Sequence, residues 1–160
     1  MHAEPLEQHH WFDKFVGEWV SECQAVMAPG EPPVTTRGIE RCRLLGGLWM
    51  VAEGESEMPG GGTATMIMTL GYDAAKKQYL GTWVGSMMTH LWIYKGTLDA
   101  AGRTLTLDSE GPSFISQGKM SRYQDIITFE SNDHRTLTSR ADVEDGKWRE
   151  FMTAHYRRKT

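Results

Sequence analysis

Hydrophobic and polar residues alternate along most of the chain, and this pattern predicts β-strands. Turn signals rich in Gly, Pro, Asn and Asp separate ten alternating runs. Short strands at regular spacing, with no helical pattern between them, favour one antiparallel sheet that closes on itself. We therefore expect an all-β fold, an up-and-down β-barrel of about ten strands over residues 17–157. The predicted strands are Gly17–Met27, Val34–Leu45, Leu48–Met58, Thr63–Tyr72, Gln78–Met87, Thr89–Leu98, Arg103–Glu110, Ser121–Glu130, Arg135–Val143 and Lys147–Arg157.

The first 16 residues have a different period. Leu6–Val16 predicts one short amphipathic helix, because Trp11 and Phe15 lie four residues apart and share a helix face. We expect this helix to plug one end of the barrel, where Trp19, two residues after Gly17, would close the floor. At 160 residues without an internal linker, the chain is expected to form a single domain, 1–160.

The loops sort into two groups, because successive connections of an up-and-down barrel alternate between its ends. One end receives the helix and mostly compact turns. The other receives longer Gly- and Pro-rich loops at 28–33, 58–62 and 111–119. Apolar side chains on such loops often mark a binding mouth. The sequence therefore predicts a portal at this open end, formed by Met27, Met58, Met87, Met88, Phe114 and Ile115.

Alternation along the strands also predicts which side chains face the interior. A ten-stranded barrel is wider than an eight-stranded one, whose interior just fills or holds one small ligand, so we expect a cavity. Aromatic and Met side chains predominate among the predicted inward residues and would suit a flat or irregular apolar ligand. For any one of them, an ordinary core position is the alternative. The predicted ligand contacts are Met66, Met68, Trp83, Trp92, Tyr94, Tyr123, Phe129, Met152 and Tyr156.

Three ionisable residues fall on the inner face by the same alternation: His90, Asp125 and Glu150. A His beside a carboxylate could act as a general base on a bound substrate, so these are the candidate catalytic residues. The alternative interpretation places them at the solvated rim, or in ion pairs with Arg122 or Arg140.

Composition and motifs exclude several other functions. The formal net charge is −4 and no long block of Lys or Arg occurs, which argues against nucleic acid as a partner. No segment approaches the roughly 18 apolar residues of a membrane span, and we expect a soluble, cytoplasmic protein. Nucleophile-elbow, phosphate-loop and zinc-protease motifs are missing. His9 and His10 would diverge by about 100° on a helix and could not form the i, i+4 pair that a metal site favours, so we expect both at the surface and no metal site. Apart from the haem alternative given below, we expect no cofactor.

The two cysteines, Cys23 and Cys42, are predicted to lie on neighbouring strands. If the 28–33 loop closes the first hairpin symmetrically, Cys42 lies opposite Trp19 and Cys23 opposite Gly38. This register would hold the sulfurs too far apart for a disulfide. Two reduced cysteines agree with a cytoplasmic protein.

Several segments carry a resemblance to known proteins. The helix, the Gly17-Glu18-Trp19 step that opens the first strand, and the final strand "FMTAHYRRK" resemble the calycin superfamily of lipocalins and fatty-acid-binding proteins. Over nearly the whole chain, "FVGEW", "RLLGGLWMVAEGE", "LGYDAAKKQYLGTWV" and "YKGTLDAAGRTLTL" resemble an uncharacterised lipocalin-like bacterial family. The resemblance implies a barrel with an internal pocket and leaves its occupant open.

A haem alternative also follows from the resemblance. Nitrobindin, a haem-binding relative of these barrels, takes its iron ligand from a histidine near the C-terminus, which makes His155 the corresponding candidate here. Alternation in the last strand, however, sends His155 outward, because Met152, Ala154 and Tyr156 form the more apolar face.

The leading hypothesis is that the barrel binds a small apolar or amphipathic molecule, which enters past Met58, Met87, Met88 and the 111–119 loop. The alternatives are an acid/base enzyme, a haem-binding nitrobindin-like protein, and an interaction module whose Met-rich rim contacts another chain, such as a second copy in a homodimer.

Overall fold

The strands form a closed barrel. The computed structural model describes all 160 residues, Met1–Thr160. Each strand pairs antiparallel with the next one along the chain, and β1 also pairs with β10, which closes the sheet. The predicted ten-stranded up-and-down barrel is therefore confirmed. The strands are β1 Gly17–Ala25, β2 Val34–Leu45, β3 Trp49–Glu57, β4 Thr63–Asp73, β5 Gln78–Gly85, β6 Trp92–Leu98, β7 Thr104–Pro112, β8 Met120–Ser131, β9 His134–Glu144 and β10 Lys147–Arg158.

The N-terminal segment is helical, but it is not one continuous α-helix. A single turn, α1 Glu7–His10, continues directly into the 3₁₀ helix Trp11–Phe15. A 3₁₀ helix has three residues per turn, so Phe12 and Phe15 lie above one another and both face the barrel. Gly17, the first residue of β1, has a φ of +131°, a conformation that favours glycine. Neither helix has the length and apolar character needed to cross a membrane.

This helical segment covers the closed end of the barrel, as the sequence predicts. The side chains of Trp11, Phe12 and Phe15 are buried. The Trp11 indole N–H donates to the carbonyl of Gly102, in the β6–β7 turn, at 2.7 Å. The Tyr79 hydroxyl donates to the carbonyl of Gln8 at 3.2 Å. Packing and hydrogen bonds thus hold the segment against the compact turns.

His9 corrects the prediction that both N-terminal histidines lie on the surface. Its side chain is buried, and its Nδ1 accepts a hydrogen bond from the Leu6 backbone N–H at 2.8 Å. Its Nε2 lies 3.0 Å from the carbonyl oxygen of Tyr72, which requires the proton on Nε2. His9 therefore caps the helix start and joins it to β4, whereas His10 is exposed as expected.

Large side chains fill the closed half of the barrel. Trp19 is completely buried, and its indole N–H donates to the carbonyl of Phe15 at 2.8 Å. The guanidinium of Arg135 lies over the same indole, 4.7 Å from the ring centroid. Trp19 therefore occupies a structural position between the helical segment and the sheet. The other largest fully buried side chains are Phe12, Phe15, Met50, Leu70, Leu105, Leu107 and Ile127.

The register of the first hairpin differs from the predicted one by two residues. Gly17 lies opposite Cys42, and Cys23 lies opposite Thr36. The difference arises because β1 ends at Ala25, so the connection to β2 is longer than the symmetrical loop assumed. A shift of two residues preserves which side chains face inward. Both cysteines are free thiols.

Candidate ligand-binding cavity

The open half of the barrel encloses a cavity of about 440 Å³. Of its 29 lining residues, 19 are hydrophobic. This volume lies within the range of small-molecule sites in proteins, which are mostly apolar and carry a few placed polar groups. The cavity can therefore hold a compact organic molecule.

The sequence leaves this space open by reducing side-chain size towards the open end. Along β7 the residues at every second position are Leu105, Leu107, Ser109 and Gly111. The two leucines are completely buried in the closed-end core, whereas Ser109 lines the cavity. Leucines thus fill the lower barrel, and small residues leave the upper barrel hollow.

Methionines and one phenylalanine surround the mouth. Five of the six predicted portal residues line the cavity: Met27, Met58, Met87, Met88 and Phe114. Ile115 does not line it and is 57% exposed on the same loop. Neighbouring loop residues point in different directions, which the sequence alone could not resolve.

One side of the cavity is a continuous aromatic wall. The Tyr123 ring meets the rings of Trp92, Phe114 and Phe151 edge-on, at centroid distances of 5.0, 5.4 and 6.2 Å. Gly111 makes room for Trp92, because a Cβ at Gly111 would lie 2.1 Å from the indole. The wall therefore depends on a glycine behind it.

Eight of the nine predicted ligand contacts lie on the cavity wall. They are Met66, Met68, Trp83, Trp92, Tyr94, Tyr123, Met152 and Tyr156.

Phe129 is the exception, and the structure places it in the closed-end core. Its ring packs edge-on against Phe15 and Trp19, at centroid distances of 4.9 and 6.4 Å. Alternation correctly predicts that Phe129 faces inward. It carries no information on the height of a side chain along the barrel axis, so the predicted position of Phe129 in the cavity is wrong.

Asp125 is the polar centre of the cavity. The Tyr94 hydroxyl donates to its Oδ2 at 2.5 Å, and the Ser139 hydroxyl donates to its Oδ1 at 2.6 Å. The residue as a whole is half-buried because one side faces the cavity, while its carboxyl lies deep in the barrel. Loss of solvent raises the pKa of Asp125, and the two hydroxyl hydrogen bonds oppose this shift. Burial and the neighbouring Asp125 raise the pKa of Tyr94, which keeps its hydroxyl protonated.

The other two candidate catalytic residues do not join Asp125. His90 bonds through Nε2 to the carbonyl oxygen of Glu110 at 2.9 Å and lies outside the cavity lining. Glu150 is exposed, which corrects the inward prediction. A register shift between Glu150 and Met152 inserts an extra residue into β10 and reverses the alternation. The three residues therefore do not form a joint acid/base site.

The same irregularity in β10 adds a lining residue that the sequence did not predict. Both Phe151 and Met152 line the cavity, although adjacent residues of a regular strand face opposite sides. Two consecutive apolar residues in an otherwise alternating strand are the signal that could have indicated the bulge.

A buried ion pair between Glu40 and Arg135, which the sequence analysis does not predict, lies at the floor of the cavity. Glu40 lines the cavity and accepts a hydrogen bond from the Arg135 guanidinium, which also donates to the Cys42 sulfur at 3.8 Å. The guanidinium lies 4.1 Å from the ring centroid of Tyr156. Burial, followed by the charge of Glu40, raises the pKa of the Cys42 thiol. Arg135 thus neutralises the carboxylate at the floor.

His155 lies on the outer face of the barrel. It is exposed and stacks on His134, with a ring-centroid distance of 5.2 Å. No histidine lines the cavity, and no cluster of three or more His, Cys, Asp or Glu side chains is arranged to hold a metal ion. His155 therefore could not ligate the iron of a haem inside this cavity.

Fold and cavity together define a class, the closed antiparallel β-barrels with an internal, mostly apolar cavity. The chain belongs to the family described as "Protein of unknown function (DUF1579)", whose model matches residues 4–158. The comparison with curated proteins gave no match.

Solved structures of low sequence identity share the fold. Rv2717c from M. tuberculosis is 10% identical with a TM-score of 0.67, covering 98% of this chain and 100% of that one. The S-type phycobiliprotein lyase CPES from Guillardia theta is 13% identical with a TM-score of 0.60, covering 95% and 92%. The protein EF1p2_mFAP2b bound to DFHBI is 11% identical with a TM-score of 0.51, covering 96% and 100%. At these identities the similarity shows the fold alone.

Proposed function

We propose that the protein binds a small apolar or amphipathic molecule inside the barrel. The observation that carries this proposal is the cavity of about 440 Å³, with its mainly hydrophobic lining and its mouth of methionines and Phe114. A barrel of similar fold is described as bound to DFHBI, which supports the use of such an interior for a small molecule.

The lining favours a ligand of irregular or flat shape. Flexible methionine side chains, Met66 and Met68 among them, line the same cavity as the rigid aromatic wall of Trp92 and Tyr123. Thioethers adapt to irregular surfaces and make favourable contacts with aromatic groups. The site therefore combines one adaptable surface with one fixed surface.

A cavity-filling substitution tests this proposal. Ala154 is buried and lines the cavity, so Ala154→Phe would fill part of the space, whereas Ala101→Phe adds the same group to an exposed turn. We expect Nile red to bind the wild-type protein saturably, and Ala154→Phe to weaken binding by about tenfold. Circular dichroism would verify that both variants fold, and Ala64→Phe, also in the lining, is the alternative filling variant.

Two results would contradict the proposal: no saturable binding to the wild-type protein, or equal affinities in Ala154→Phe and Ala101→Phe. Native mass spectrometry of gently purified protein would complement the titration by detecting a retained small molecule.

We also propose that the protein forms a homodimer through the open rim of the barrel. Met27, Met87 and Met88 are 59%, 41% and 41% exposed at the rim, which supports a homodimer contact there. Sedimentation velocity over a range of concentrations would detect it.

We infer a cytoplasmic location, and the free thiols of Cys23 and Cys42 support this inference.

A further inference from the structure

The carboxyl of Asp125 has no cationic partner in the protein, and this observation indicates the charge of the ligand. Of its roughly four acceptor positions, hydroxyl donors occupy two, one from Tyr94 on β6 and one from Ser139 on β9. Asp125 also lines the cavity, so the remaining positions are open to a ligand.

The basic side chains near this part of the barrel have other partners. Arg135 pairs with Glu40 at the cavity floor, and Arg122 pairs with Asp142. Arg140 donates through Nε to the side-chain oxygen of Gln124 at 2.7 Å. A charged group deep in a protein normally has a counter-ion, so Asp125 requires either a proton or an external cation.

The charges of the cavity lining all have one sign. Its acidic residues are Glu40, which Arg135 neutralises, the exposed Glu55 and Glu57, and Asp125, and it contains no Lys, Arg or His. An anionic headgroup would find no positive side chain in this lining, whereas a cation would find Asp125. The lining therefore favours a positively charged guest over a negatively charged one.

Aromatic groups in the same lining also favour a cation. Trp92, Tyr94 and Tyr123 line the cavity with Asp125, as does Tyr156, whose ring the Arg135 guanidinium already contacts. The faces of such rings attract organic cations, and the attraction increases where water is excluded. A carboxyl surrounded by aromatic side chains is therefore chemically complementary to an alkylammonium group.

We propose, building on the small-molecule function above, that the ligand is an amphipathic organic cation whose protonated amine contacts Asp125 while its apolar body lies among the methionines. An ammonium group has three N–H donors, one of which can bond the carboxylate directly. If Asp125 carries a proton before binding, that proton leaves to solvent when the ammonium arrives.

Three probes of equal chain length test the inference: octylamine, 1-octanol and octanoate, measured by displacement of Nile red at neutral pH. We expect octylamine to bind the wild-type protein about tenfold or more tightly than 1-octanol, and octanoate to bind weakest. In Asp125→Asn the affinity ratio of octylamine to 1-octanol should fall close to one. Asp108→Asn, an exposed carboxyl on the outer face of β7, should keep the wild-type ratio.

The outcomes separate this inference from the proposed function. If 1-octanol binds but octylamine binds no more tightly, or if the ratio survives in Asp125→Asn, the cation inference is wrong and the cavity remains a binding site. If none of the three probes displaces Nile red and Nile red itself does not bind, the proposed function fails. If Asp125→Asn does not fold, Asp125→Ser tests the affinity ratio of octylamine to 1-octanol in the same way. The preference of the wild-type protein for octylamine is itself a test that needs no variant.

Discussion

The guanidinium of Arg158 lies 4.3 Å from the ring centroid of Trp19, so the last strand of the barrel covers the tryptophan of the first. The same guanidinium donates to the carbonyls of Val16, Lys14 and Asn132, at 2.7, 2.9 and 2.9 Å. One side chain thus ties the helical segment, the β8–β9 turn and the closing strand together.

Arg158→Ala should therefore destabilise the fold. We expect the free energy of unfolding to fall by about 1.5–3 kcal/mol, because hydrogen bonds from a charged donor to three carbonyls are lost. Arg157→Ala is the matched control, since Arg157 is exposed on the outer face and should change stability by less than about 0.5 kcal/mol. Urea unfolding followed by circular dichroism measures both, and equal losses would contradict the role of Arg158.

The ion pair between Glu40 and Arg135 gives a second stability prediction. The Arg135 side chain is only 4% exposed and that of Glu40 only 14%. Glu40→Gln leaves a buried guanidinium without its counter-ion, so we expect a loss of about 3–5 kcal/mol. Glu18→Gln removes a partner of the exposed Arg41 and should cost about 1 kcal/mol or less.

The double variant Glu40→Leu with Arg135→Met separates charge burial from packing. Because the double variant removes both charges, we expect its free energy of unfolding to be closer to the wild-type value than that of Glu40→Gln. A double variant less stable than Glu40→Gln would show that packing of the guanidinium on its aromatic neighbours outweighs charge neutralisation.

Alternation accounts for most of what the sequence could predict. The inward sequence Leu105, Leu107, Ser109 indicates both the β7 strand and the change from filled to hollow barrel. Phe129 shows the first limit, since facing inward does not determine position along the axis. Glu150 shows the second, because alternation assumes a regular strand, and the bulge before Met152 reverses it.

The polar contacts inside the barrel could not be predicted from the sequence, for a different reason. Arg135 and Glu40 are 95 residues apart in sequence, and they meet only after the sheet has closed. Asp125 and Ser139 meet through the register of β8 with β9, which a single alternating pattern does not determine. A sequence shows that Asp125 faces inward, but the hydroxyl partners follow from strand pairing.

Asp125 should make stability depend on pH. Loss of solvent raises its pKa in the folded protein, so the folded state keeps a proton that the unfolded chain has released. The contribution of Asp125 to the free energy of unfolding therefore falls as pH rises from about 4 through the raised pKa. The loss is about 1.4 kcal/mol for each tenfold difference in proton affinity between the folded and unfolded states. Asp125→Asn lacks this loss, so its stability relative to wild type should increase over that range. A pH-independent difference in urea unfolding would contradict the raised pKa.

The two thiols should differ in reactivity. Burial and Glu40 raise the pKa of Cys42, and burial raises the pKa of Cys23, which is half-buried and lines the cavity. We expect Ellman's reagent to react slowly with Cys23 in the native protein, and with Cys42 only on unfolding. Cys42→Ala should keep the slow reaction of the native protein with Ellman's reagent, and Cys23→Ala should abolish it. Bound Nile red should slow the reaction of Cys23 further. Rapid native reaction in Cys23→Ala would contradict burial of Cys42.

The aromatic wall should depend on Gly111. A methyl group there would lie 2.1 Å from the Trp92 indole, whereas one at Gly54 would meet the flexible Met66 side chain at 3.2 Å. Neither glycine has a positive φ, so the comparison is steric rather than conformational. We expect Gly111→Ala to shift tryptophan emission, weaken Nile red binding and cost about 1–3 kcal/mol of stability, and Gly54→Ala to cost less. Similar values for the two variants would mean that the Trp92 ring can move aside freely, and that the wall is not fixed by the glycine behind it.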